Sequence, residues 1–101
     1  MSRRARVFLT YAAANVRRLR LRSGLTQEGL AELAGLDHTY VQAVERVRTN
    51  FTVEVLVALA DALQAEPRDL LRPAALTPPK AGRPLKIRRR VRPSSGGRPT
   101  M

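Results

Sequence analysis

The 101-residue sequence predicts an all-α protein, a compact five-helix domain followed by a basic tail. Two observations carry this. Between residues 11 and 72 apolar side chains recur three and four apart, the period of helices that bury one face, and no run alternates with a period of two. From residue 73 the composition changes: PAALTPPKAGRPLKIRRRVRPSSGGRPTM holds six of the seven prolines and three glycines. Such a stretch cannot bury enough apolar area to offset its ordering entropy and reads as disordered. The chain therefore divides into a basic N-terminal arm (1–10), a helical domain (11–72) and a basic tail (73–101).

Each helix has its own signals. Ala12, Ala13, Val16 and Leu19 give the first, from about Tyr11 to Arg22, with Arg17, Arg18 and Arg22 on its polar side; Ser23-Gly24 ends it. The preceding residues hold only the short apolar cluster Val7 to Leu9, too little to count as more than an arm or frayed lead-in. Thr26 is placed to cap a second helix by accepting an amide near Glu28 or Gly29. Leu30, Ala31 and Ala34 form that helix's apolar face, and Gly35, free to be left-handed, closes it. Asp37 caps a third helix that buries Val41 and Val44 and runs to about Val47. Thr52 caps a fourth, with Val53, Leu56, Leu59, Ala60 and Leu63 inward. Pro67 opens a fifth, completed by Leu70 and Leu71 and stopped by Pro73.

Charge is unevenly distributed along the chain. The formal net charge is +11; residues 1–22 hold seven Arg and no acid, residues 23–73 four Arg and all eight acids, and residues 74–101 eight Lys or Arg and no acid. The total points to a polyanion partner, because each neutralised phosphate releases counterions. The acidic middle means that contact with nucleic acid comes from a few placed side chains backed by the arms. With no Cys and one His there is no disulfide, no thiolate and no metal set, and no motif calls for a cofactor. No Gly-rich phosphate loop or paired carboxylates accompany them, so an enzyme is not expected. No apolar run approaches the ~20 residues of a membrane span, and no long apolar stretch follows Arg3, Arg4 and Arg6. A cytoplasmic protein, nucleoid-associated when bound to DNA, is expected.

The most specific stretch is TQEGLAELAGLDHTYVQAVERVRTN, two short helices around a glycine turn, with the small Ala31 allowing a close, steep crossing. This resembles the lambda-repressor-like, XRE-type helix-turn-helix family. The variant GLDHTYVQAVERVRTN, with Thr39-Tyr40 and Arg48-Thr49-Asn50, is similar to the small controller proteins of restriction-modification systems. The resemblance spans about Asn15 to Arg72. It implies a homodimer that binds a partly palindromic operator on double-stranded DNA, the helix at 37–46 entering the major groove and the preceding helix lying across the backbone.

Roles follow for named residues. Gln27, at the open start of the second helix, matches the family's phosphate-binding glutamine. His38, Thr39, Gln42 and Ala43 face outward on the third helix as base-reading candidates: Gln42 suits an adenine edge, Ala43 a thymine methyl, and Thr39 either a hydrogen bond or a methyl contact. His38 stands where controller-like members often have Arg, and a solvated histidine is its other reading. Tyr40 has two readings, a phosphate contact or packing against the second helix. Arg46 and Arg48 follow as phosphate contacts. By the same resemblance Arg20 pairs with Glu45, bracing the first helix against the third. Val47, Phe51, Val55 and Val57 remain outward once the core is filled, as a dimer interface.

Two residues depart from the family pattern. Val47 stands where glycine usually ends the recognition helix in a left-handed conformation; a branched side chain there is strained, so either the helix end is reshaped or stability is lost. Phe51 replaces a frequent proline. A second functional class stays open: an antitoxin or interaction module using the same fold, with the tail wrapped on a partner protein. The acidic middle favours it slightly.

Overall fold

The computed structural model describes residues 2–76. It is all-helical, with no strand among the described residues: α1 (Arg3–Arg22), α2 (Gln27–Ala34), α3 (His38–Glu45), α4 (Val53–Ala62) and a 3-10 turn (Pro67–Leu71). All four α-helices open on a side-chain cap. Ser2 Oγ accepts from the Ala5 amide at 3.0 Å, Thr26 Oγ1 from Gly29 at 2.9 Å, Asp37 Oδ1 from Thr39 at 3.3 Å and Thr52 Oγ1 from Val55 at 3.1 Å. Each satisfies an amide that the first turn leaves without a partner.

All four also close alike. A left-handed residue follows the last turn, and the next amide reaches back to a carbonyl five residues earlier: Leu25 to Arg20 at 3.0 Å, Leu36 to Ala31 at 2.8 Å, Arg48 to Ala43 at 2.8 Å and Ala65 to Ala60 at 2.9 Å. Glycine supplies the left-handed position twice, at Gly24 and Gly35, with φ of 74° and 70°. Val47 and Gln64 supply it at α3 and α4, both at φ 57°. The end of α3 thus keeps the geometry glycine favours and carries the strain of a branched side chain in it.

One core joins the helices: Val16, Leu30, Ala31, Val41, Val44, Leu56, Leu59, Ala60, Leu63 and Leu70. Each buried leucine contributes about 1.5–3 kcal/mol relative to exposure, so the short α2 and α3, unstable alone, hold through packing.

Four expectations need correction. The N-terminal arm is helical from Arg3: the segment has no Gly or Pro, Ser2 caps it, and Leu9 is buried, so the helix simply continues outward from the body. Phe8 and Tyr11 meet edge to face on it, 5.6 Å between ring centres. The third helix ends at Glu45, with Arg46 as its cap, two residues short of Val47. The fifth helix is a 3-10 turn, because the residue before Pro73 is driven to extended backbone, Arg72 having ψ 147°, and too few residues remain for an α-helix. Val53, expected inward, is 74% exposed at the first residue of α4, and the inward stripe begins at Leu56. The tail, from residue 77, lies outside the described residues.

Candidate nucleic-acid interface

α2 and α3 pack across the Gly35 turn, with Leu30 and Ala31 meeting Val41 and Val44 in the core. Burial of Val41, Val44 and Glu45 fixes the rotation of α3. The opposite side then carries Thr39, Gln42, Ala43 and Arg46, the last three lying three, four and seven residues after Thr39 on a single outward face. Thr39 and Arg46 are exposed, whereas Gln42 and Ala43 are half-buried. This face offers an amide, a hydroxyl, a methyl and a guanidinium. His38 is half-buried at its edge, on the side of Glu45.

Rotation of α3 is held by a network at its end. Arg20 Nε donates to Glu45 Oε2 at 2.7 Å and Arg20 Nη2 to Glu45 Oε1 at 3.1 Å, both residues buried. Arg20 Nη1 donates to the Leu25 carbonyl at 2.9 Å, tying the pair to the loop before α2. The planar guanidinium fork matches the carboxylate on two points, which makes this a directional brace as well as a charge pair.

Gln27 joins the same carboxylate. Its Nε2 donates to Glu45 Oε1 at 3.1 Å; an ionised carboxylate only accepts, so the amide nitrogen faces it. The first residue of α2 is therefore tied to the last of α3. Its second N–H and its carbonyl oxygen make no other protein hydrogen bond among the described residues. Beside them are the amides of the α2 first turn, an anion-favouring end weakened by the adjacent Glu28.

The remaining candidates divide. Arg48 is exposed beyond Val47. Tyr40 is half-buried and packs against the core. Phe51 and Val55 also pack against the core, which takes them out of a freely exposed apolar set. Val47 is half-buried. On α4 the outward apolar residues are Val57, 38% exposed, and Val53, four residues earlier. Val55 turns inward because α4 is rotated to bury Leu56, Leu59 and Leu63, leaving it on the flank of the same stripe; Phe51 packs from the loop before the helix.

Asn15 is the residue that pattern reading missed. It is buried on α1, and its Nδ2 donates to the carbonyls of Leu70 at 3.0 Å and Arg72 at 2.9 Å, groups freed by the short 3-10 turn. Arg18 Nη2 donates to its Oδ1 at 3.2 Å. A polar residue among Ala12, Ala13 and Val16 was the available signal. Partial desolvation, and then the like charge of Arg22, holds the Arg18 pKa below the ordinary arginine value, though a guanidinium stays charged. Among the described residues no group of side chains could hold a metal ion, and no helix is long and apolar enough to cross a membrane.

The helix-turn-helix domain family matches residues 12–74. The control protein C.SmaI of Serratia marcescens is 46% identical over 59 residues, 58% of this chain and 70% of that protein. The crystal structure of the hypothetical transcription factor NHTF from Neisseria superposes with a TM-score of 0.66 at 39% identity, over 68% of this chain and 78% of that one. The restriction-modification controller protein C.AhdI from Aeromonas hydrophila superposes with a TM-score of 0.59 at 45% identity, over 61% and 94% respectively.

Proposed function

This chain belongs to the helix-turn-helix domain family, among XRE-type regulators, and on that premise we propose that it binds a partly palindromic DNA operator as a homodimer, reading bases through α3. The observation that carries the reading is the outward row Thr39, Gln42 and Ala43, with Arg46 at its end, on a helix whose rotation the Arg20–Glu45 pair holds. Base edges are read only from a fixed position, and the brace supplies it. Gln27, Arg46 and Arg48 take phosphates, which set register without carrying sequence information. His38 sits beside this row as the fourth base-reading candidate, on base or phosphate. Pairing of two copies through Val57, Val53 and Val47 would bring two α3 helices about 34 Å apart, one duplex turn.

Selection of bound duplexes from a random pool, followed by sequencing, tests the reading. An enriched, inverted pair of half-sites about one turn apart supports it, and an unenriched pool removes it. The rival, an interaction module, draws on one observation: residues 23–45 contain four acids and no Lys or Arg, an awkward charge for a DNA face. Under that reading the purified chain binds a defined duplex only with a second protein, and removal of residues 77–101 abolishes the association.

A further inference from the structure

α1 carries more positive charge than the brace requires. Seven of its twenty residues are Arg and none is acidic. Arg20 is engaged by Glu45 and Arg18 by Asn15, and among the described residues no carboxylate forms an ion pair with Arg3, Arg4, Arg6, Arg17 or Arg22. Three of these, Arg3, Arg4 and Arg6, occupy the opening turns, where free amides already concentrate positive potential and acids are the favourable residues. Every residue from Ser2 to Phe8 is exposed, so these turns project from the body. Self-repulsion and the helix dipole both oppose this arrangement; a polyanion removes both penalties.

Their position separates them from the reading face. Arg3 lies seventeen residues before Arg20, about 25 Å along the axis at 1.5 Å per residue. Arg20 is the part of α1 that meets the end of α3 and the start of α2, so the opening turns lie at the far end of the helix from Gln27. The C-terminal segment leaves from the middle of the helix: Asn15 clamps Leu70 and Arg72, about 13 Å along α1 from Arg6 and about 8 Å from Arg20. Residues 77–101 add eight Lys or Arg and no acid, while residues 23–45, around the reading helix, hold four acids and no Lys or Arg. The family match begins at residue 12, so these turns lie outside the matched domain.

We propose that Arg3, Arg4 and Arg6, on the projecting first turns of α1, form a second, sequence-independent DNA surface that holds the phosphate backbone of a duplex other than the one α3 reads. Arginine presents a planar fork of donors that matches phosphate oxygens, and phosphate contacts need no sequence. A chain with two such faces joins two DNA segments. The inference rests on DNA binding as the function and does not need the base contacts of α3.

The test uses the full chain. One random-sequence duplex is immobilised, a second carries a fluorophore, and the protein is added. R3Q/R4Q/R6Q removes three charges while keeping side chains that favour a helix. The wild type retains the labelled duplex, and the triple variant retains about tenfold less at equal protein loading. Affinity for the selected operator, measured on a single duplex, changes less than about twofold and keeps its salt slope. Three results overturn the proposal: no retention by the wild type, equal retention by the variant, or operator affinity and salt slope falling together in the variant. The last places these arginines on the duplex that α3 reads. The two readings fail separately: Q42A removes sequence preference without touching retention, and retention without any preferred site would remove the α3 reading alone.

Discussion

Gln27 and Glu45 join the first residue of α2 to the last residue of α3 through a 3.1 Å hydrogen bond, on a carboxylate that Arg20 already holds from α1. Three helices thus converge on one buried acid. Anything that shifts Glu45 shifts both the Gln27 amide and the rotation of α3.

The brace gives the first prediction. E45A leaves the Arg20 guanidinium buried without its counter-charge, a loss of about 3–5 kcal/mol. R20M/E45L removes both charges together and recovers part of it. Urea unfolding of wild type, both single variants and the double shows strong non-additivity; additive energies would mean that the two residues are not coupled.

Base reading gives the second. Q42A loses about 1–3 kcal/mol on the selected operator and much less on random duplex, because Gln42 is half-buried on the outer face and supports no core contact. Equal losses on both duplexes, read by fluorescence anisotropy, reassign it to phosphate contact or folding.

Backbone strain gives the third. Val47 holds φ 57°, and glycine there relieves about 1 kcal/mol. V47G raises the urea midpoint at unchanged slope. Q64G, at the same φ but with an unbranched side chain, gains less. A lower midpoint for V47G means that the valine side chain contributes more in packing than its backbone costs.

Asn15 gives the fourth. N15A strands the buried Leu70 carbonyl and loosens Arg72, costing about 1–3 kcal/mol for the unsatisfied group. Residues 70–76 then exchange amide hydrogens faster while α2 and α3 keep their protection. Uniform loss of protection across the domain would show that Asn15 supports the whole core and not this closure.

Much of the domain was legible along the chain. Thr26, Asp37 and Thr52 announce helix starts because a cap bonds an amide two or three residues away, and Gly35 announces an end because its missing side chain suits one local conformation. Spacing of Val41 and Val44 sets which side of α3 faces out. The opening turns of α1 were not legible: Arg3 to Phe8 show no acid and no buried stripe, and the segment is helical as an extension of a helix packed further on. Val47 and Gln64 take the glycine position without being glycine, held there by the closing bonds of Arg48 and Ala65.

Chain order and residue type determined the helices, their caps and the outward row on α3, since those signals act within about one turn. Packing alone decided what meets across long separations. Asn15 reaches carbonyls 55 and 57 residues away, and Glu45 accepts from residues 25 and 18 positions before it. Such partners are chosen where buried polar groups must each find a bond within a core of fixed shape, a condition that no local stretch of sequence carries.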